Sequence, residues 1–178
     1  MKMLFSGGCK NGKSTMAEDC ARALAGEKPL YYLATMIPHD EEDRERIRRH
    51  VESRAGKGFI TVECGRHITD ALEGVDPSGS FLLDAVTSLF NNEMFHDGEL
   101  DTEAPERVAR ELCELCDRVE NIVFVSDFIY SDTGMYDEWT EEYRKGLARC
   151  DAALAQRCDT VVEVNLGLPI LYKGEMPI

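Results

Sequence analysis

Gly7, Gly8, Cys9, Lys10, Asn11, Gly12, Lys13 and Ser14 satisfy GxxxxGK[ST], and no other feature of the 178-residue chain restricts its fold so tightly. The motif works only where a strand feeds a tight glycine turn that opens into a helix. Its glycines let successive backbone N–H groups point inward around phosphate oxygens, and the helix adds its positive amino end. Both flanks comply: Met3–Phe5 is apolar, and residues 13–25 favour a helix. Lys13 is therefore expected to reach the β- and γ-phosphates of a nucleotide, and Ser14 to offer its hydroxyl to Mg²⁺.

Apolar β-rich runs alternate with amphipathic stretches through the rest of the chain. The pattern predicts strands at Met3–Phe5, Leu30–Ala34, Phe59–Val62, Phe81–Leu83, Ile122–Val125, Thr160–Val164 and Pro169–Tyr172. Helices are predicted near 13–25, 40–55, 66–73, 86–97, 103–120 and 137–157. Continuous apolar strands alternating with helices imply βα units and a parallel sheet covered on both faces. The expected architecture is one α/β domain over residues 1–178, a RecA-like P-loop fold with a mainly parallel sheet flanked by helices.

Composition narrows the partners. Twenty Lys and Arg against 34 Asp and Glu leave a formal charge of −14, which disfavours nucleic acid and anionic membrane surfaces. No segment approaches the roughly 20 apolar residues of a spanning helix. Lys2 is followed by a short apolar run that ends in the glycine loop, unlike a signal peptide. The seven scattered cysteines suit reduced thiols. A cytoplasmic enzyme is the expectation. Cys113 and Cys116 form a lone CxxC within a helical pattern, which argues against zinc or redox chemistry there.

A P-loop fold commonly places a second carboxylate at a neighbouring strand end to hold the metal. Asp84, after Phe81-Leu82-Leu83, and Asp127, after Ile122 to Ser126, both qualify, with Asp84 favoured. A third cluster is basic: four of the 20 Lys and Arg residues fall between Arg44 and Arg49. On a helix, Arg46, His50 and Arg54 share one face. An imidazole flanked by guanidinium groups has the chemistry of a nucleophile toward phosphorus, the cations stabilising the charge that develops.

These motifs, in this order, resemble the bifunctional adenosylcobinamide kinase / adenosylcobinamide-phosphate guanylyltransferase family of cobalamin biosynthesis. The likeness rests on the Gly7-Gly8 start of the loop, Tyr32-Leu33-Ala34-Thr35, Arg46-Ile47-x-x-His50-x-x-x-Arg54, the strand ending at Glu63, Leu82-Leu83-Asp84 and Gly167-Leu168-Pro169. The resemblance implies two reactions. A nucleoside triphosphate, ATP or GTP, phosphorylates adenosylcobinamide. GTP then donates GMP to that phosphate through a histidine–GMP intermediate, releasing pyrophosphate and yielding adenosylcobinamide-GDP. It implies His50 as the nucleophile and Lys13 as its catalytic companion. It further implies that Gly7 to Ser14, Ala34, Thr35, Met36, Val51, Glu52, Ser53, Arg54, Glu63 and Asp84 contact nucleotide, that Ser14 and Asp84 hold Mg²⁺, and that the protein is a homotrimer.

The chain departs from the family pattern in places. Ser126-Asp127-Phe128-Ile129-Tyr130 replaces an Asn-Glu-Val-Gly-like segment, and Ala148-Arg149-Cys150-Asp151-Ala152 replaces a Gly-x-x-Asn-Gln-like patch. Lys10-Asn11 stands for Arg-Ser, Phe59 for a tryptophan and Asp84 for a glutamate. From the residues alone two other readings stand: a P-loop small-molecule kinase performing only phosphoryl transfer, and a non-catalytic nucleotide-binding homologue.

Overall fold

The computed structural model describes residues 1–96 and 98–177. In chain order these form β1 (Lys2–Gly7), α1 (Lys13–Ala25), β2 (Leu30–Ala34), α2 (Glu41–Arg54), β3 (Phe59–Glu63), β4 (Ser80–Asp84), α3 (Val86–Met94), the antiparallel pair β5 (Phe95–His96) and β6 (Glu99–Leu100), α4 (Ala104–Arg118), β7 (Asn121–Asp127), α5 (Glu138–Arg157), β8 (Thr160–Asn165) and β9 (Leu168–Lys173). The main sheet has seven strands in the order β3-β2-β4-β7-β1-β8-β9. All neighbours run parallel except β9, which turns back antiparallel on β8.

Alternation along the central strands divides the apolar interior in two. Met3 and Phe5 of β1 point to one face, where they meet Ala17, Cys20 and Ala21 of α1. Leu4 points to the other, which α3, α4 and α5 cover with Leu89, Phe90, Leu112, Leu115, Leu147 and Leu154. The small side chains on α1 let that helix lie close above the sheet, as a helix that receives a phosphate loop must. Among the described residues no helix is long and apolar enough to cross a membrane. All seven cysteines are free; Cys113 and Cys116 lie on α4, and Cys116 is buried.

The sequence-based elements recur with three differences. Residues 66–73 make no α-helix but one 3-10 turn, Ile68–Leu72, entered from a left-handed His67 with φ 50°. The predicted helix 86–97 ends at Met94, where the chain enters the β5–β6 pair; its expected last residue, 97, lies outside the described residues. The spacing of Trp139, Tyr143, Leu147, Cys150 and Leu154 predicts one apolar stripe on α5, yet Trp139 is half exposed, its ring stacked on Phe95 at 6.3 Å between centroids.

Glu93 explains the first difference. It is fully buried on α3, and its carboxylate accepts the His67 backbone N–H and faces two guanidinium groups, Arg107 at 3.0 Å and Arg66 at 3.9 Å. The carboxylate thus anchors His67 at the entry to the turn. Removing one partner from such a buried charged network usually costs about 3 kcal/mol or more, because the other charges stay behind. Glu93→Ala is expected to lower unfolding free energy by about 3 kcal/mol in urea titration, with secondary structure retained in dilute buffer.

Candidate active site

The phosphate loop leaves β1 through Gly7, whose φ of 149° only glycine adopts freely. A Cβ there would lie 2.4 Å from both Asn11 Nδ2 and the Val164 carbonyl oxygen. That space is used: Asn11 donates its amide to the Val164 carbonyl, tying the loop to β8, and its Oδ1 accepts the Lys13 N–H at 3.1 Å. Gly12, at φ 92°, opens α1 and brings no capping side chain of its own, so beyond the Lys13 N–H held by Asn11 the amino end of the helix is not capped by Gly12. Gly8, Cys9 and Lys10 form the exposed crest of the loop.

Lys13 is buried, and its ammonium donates to the Gly8 carbonyl at 3.1 Å and pairs with Asp127 at 2.6 Å. The lysine that sequence assigns to phosphates is thus held, in the protein alone, by the carboxylate ending the adjacent strand β7. Asp127 is itself fixed, its N–H donating to Thr87 Oγ1 at 2.9 Å.

Asp84 ends β4 and meets the loop from the other side. Ser14 Oγ donates to its Oδ1 at 3.5 Å and the Tyr32 hydroxyl to its Oδ2 at 3.2 Å. Burial pushes the Asp84 carboxyl above the usual carboxylate range; His50, Tyr32, Lys13 and Ser14 act in the opposite direction. The two strand-end acids therefore differ in kind. Asp84 stands beside the Ser14 hydroxyl, while Asp127 is already paired with a cation. Hard oxygen donors from Ser14 and Asp84 fit Mg²⁺, which takes few protein ligands and keeps the rest for water and phosphate. No cluster of three or more potential His, Cys, Asp or Glu metal ligands occurs among the described residues.

Helix α2 starts at Asp40, whose side chain accepts the Asp43 N–H at 2.8 Å. It is exposed along most of its length, and only its last residue, Arg54, is buried. The Arg54 guanidinium lies over the Tyr32 ring, 3.4 Å from its centroid, so Arg54, Tyr32 and Asp84 form a continuous chain from α2 to β4. His50, one turn earlier and exposed, lies close enough for its charge to favour the Asp84 carboxylate.

The basic cluster is less uniform than its sequence suggests. Arg44 pairs with Glu41, and Arg48 and Arg49 pair with Glu45, all along the exposed helix. Those arginines are partly neutralised by α2's own acids. Arg46 makes no ion pair among the described residues.

The remaining sequence-singled residues fall into two groups. Thr35 is fully buried, and its hydroxyl accepts the Ala85 N–H at 3.0 Å and donates to the Ala85 carbonyl at 2.9 Å. Its side chain secures the chain beyond Asp84 rather than facing the loop. Ala34 and Glu63 are paired at the carboxyl ends of β2 and β3, with Met36 beyond them. Val51, Glu52 and Ser53 are exposed on α2, Ser53 donating to the His50 carbonyl at 2.9 Å. One supporting residue had no distinct signal, Asn92, donating to the Thr35 and Gly65 carbonyls at 2.7 and 2.9 Å; Tyr32 stood in the second-strand motif, but nothing there assigned a role to its hydroxyl.

Residues 3–171 match the family model of CobU, cobinamide kinase / cobinamide phosphate guanyltransferase. The bifunctional adenosylcobalamin biosynthesis protein CobP of Pseudomonas aeruginosa strain PAO1 is 32% identical over 184 residues, covering 98% of this chain and 99% of that protein. Among solved structures, a Pyrococcus horikoshii OT3 protein from a structural project shares a TM-score of 0.53 at 11% identity, over 97% of this chain and 86% of its own. A KaiC-like protein of the same organism gives 0.47 at 12% identity, over 98% and 79%. The strand order agrees with the α/β fold and mainly parallel sheet expected from the sequence, and the first of these likenesses extends that agreement to the fold alone.

The two acids respond differently to neutralisation. Asp84→Asn is expected to weaken Mg²⁺-dependent GTP binding about tenfold, while Asp127→Asn, which frees Lys13, does not weaken it. In the wild type a proton competes with the metal for Asp84. Because its carboxyl titrates above the ordinary range, metal-dependent affinity is expected to fall with decreasing pH earlier than for an exposed carboxylate, and Asp84→Asn to flatten that profile. Fluorescent-nucleotide titration with and without Mg²⁺ checks both.

Proposed function

Because the chain belongs to the cobinamide kinase / cobinamide phosphate guanyltransferase family, we propose that it performs both reactions: phosphorylation of adenosylcobinamide by ATP or GTP, and transfer of GMP from GTP to the resulting phosphate. The observation that carries this reading is the position of His50. It comes from a separate helix, one turn before Arg54, whose guanidinium covers the Tyr32 ring; Tyr32 donates to Asp84, which also receives the Ser14 hydroxyl of the phosphate loop.

In the kinase step the loop amides and Lys13 bind the triphosphate tail, Lys13 leaving Asp127 for the phosphates. Ser14 and Asp84 would hold Mg²⁺, which supplies charge neutralisation on the phosphate oxygens. The acceptor hydroxyl attacks the γ-phosphorus, its proton is lost, and the nucleoside diphosphate departs.

In the guanylyl step the same grip on the β- and γ-phosphates makes pyrophosphate the leaving group. A neutral His50 nitrogen attacks the α-phosphorus; a P–N bond forms and the bond to the bridging α–β oxygen breaks. The acceptor phosphate then attacks that phosphorus, the P–N bond breaks, and His50 is regenerated with the dinucleotide-like product formed. Arg46, without an ion-pair partner among the described residues, and Arg54, over Tyr32, are the cations on the His50 face of α2. The exposure of α2 everywhere but at Arg54 suits a helix that must meet nucleotide and acceptor in turn.

A homotrimer is part of the same proposal. Its support is β9, an edge strand whose Leu168, Ile170, Leu171 and Tyr172 are all exposed, an apolar edge that isolated proteins usually avoid. Sedimentation of the purified protein is expected to give three copies; a monomer would remove that part.

The deciding experiment is incubation with α-³²P-GTP and Mg²⁺ followed by denaturing electrophoresis. The wild type is expected to carry an acid-labile, alkali-stable label that His50→Ala abolishes, while phosphoryl transfer from γ-³²P-ATP to adenosylcobinamide survives in the variant. An unlabelled wild type that binds GTP normally would leave only the kinase or a nucleotide-binding protein.

A further inference from the structure

On the face of the sheet opposite α1, a cavity of about 350 Å³ lies between α5 and the β1–β8 strands. Its floor is made of small α5 side chains, Ala148, Ala152 and Ala155, and its walls include Phe128, Tyr130 and Tyr172. Two acids line it, Asp151 and Glu163, and no Lys, Arg or His does. Glu163 already accepts the Tyr172 hydroxyl at 2.7 Å. Asp151 is 4% exposed; its Oδ2 accepts from Ser126 Oγ at 3.0 Å and the Tyr130 hydroxyl at 2.9 Å. Its Oδ1 is buried with no hydrogen-bond partner among the described residues.

A buried acceptor without a donor is costly to maintain and marks a place where a donor is meant to arrive. Acidic lining without a cation excludes phosphates and carboxylates. Aromatic and aliphatic walls select an apolar body. A cavity of this size is at the small-molecule end of binding sites, large enough for one arm or ring of a larger ligand.

We propose that this cavity is a subsite for an uncharged, amide-bearing apolar ligand, with a turn of the Asp151 carboxyl bringing its unpartnered oxygen, closed off from solvent here, to an amide N–H, and that the arm it seats belongs to the corrinoid acceptor. The assignment of that arm rests on the function proposed above. Corrinoids carry primary carboxamides around an apolar macrocycle, which is the chemistry the cavity asks for. Position supports the link. Ser6 lines the cavity directly before Gly7 of the phosphate loop, and Ser126, Phe128 and Tyr130 flank Asp127, which holds Lys13. Both segments that depart from the family pattern, Ser126–Tyr130 and Ala148–Ala152, contribute to this one cavity, so the departures form a single remodelled wall rather than scattered drift.

The test uses full-length protein and adenosylcobinamide as the probe. Ala152→Phe fills the floor, and Asp151→Asn removes the charge while keeping one acceptor oxygen. Each is expected to weaken corrinoid binding in equilibrium dialysis about tenfold or more, with GTP affinity, α-³²P-GTP labelling and sedimentation unchanged. Unaltered corrinoid affinity in both variants overturns the proposal. So does a loss of GTP affinity, which would make the cavity a nucleotide site, or a changed sedimentation coefficient, which would make it an interface between copies. Should Ala152→Phe fail to fold, Asp151→Asn decides by the same readings. A wild type that binds no corrinoid overturns this assignment too, and the wild-type labelling result then reports separately on the histidine chemistry.

Discussion

Asp84 sits where burial works against its charge, and the candidate site is arranged around that conflict. The carboxylate terminates β4 beside the phosphate loop, and the groups that offset its desolvation come from three elements: Lys13 and Ser14 at the start of α1, Tyr32 on β2 and His50 on α2. Tyr32 in turn carries the Arg54 guanidinium on its ring. One unfavourably placed acid thus draws the loop, two strands and an otherwise exposed helix into a common position. A partly desolvated carboxylate is also a group that gains from a divalent cation, since the ion supplies the charge that water no longer screens.

The second acid plays an opposing part. Asp127 holds Lys13 through an ion pair shielded from water on the lysine side, so the loop is kept open with its cation already oriented. Phosphate oxygens must compete for that ammonium, and the competition makes occupancy of the loop a local rearrangement rather than simple filling. The same residue begins the segment that lines the α5 cavity. Whatever enters the cavity and whatever enters the loop therefore act on opposite sides of one strand end.

Much of the fold was legible because its signals are local. The phosphate-loop motif and the apolar strands depend on near neighbours in sequence and recur where expected, and the Asp40 and Asp137 caps found at the starts of α2 and α5 are equally local. The failures share a cause. The 66–73 segment has helical character, but the buried Glu93, far away in sequence, anchors the His67 amide at the entry to a 3-10 turn. Trp139 lies on a helical stripe, but the stripe runs past the end of the core and its ring finds Phe95 at the surface. Within the arginine cluster the partners are local instead: Arg44, Arg48 and Arg49 pair with Glu41 and Glu45 three and four residues away, which leaves Arg46 and Arg54 as the cations on the His50 face.

By itself the sequence determined a P-loop α/β domain, the family, and the residues able to do phosphorus chemistry, because those depend on residue type, spacing and the period of the chain. Which of two strand-end acids meets the Ser14 hydroxyl, that the other restrains Lys13, and that Asp151 keeps an unmet oxygen beside a cavity were decided by tertiary structure. Those facts turn on strand order and on which side chains share a small, poorly solvated volume, and the energy of a charge there is set by neighbours that sequence distance does not reveal.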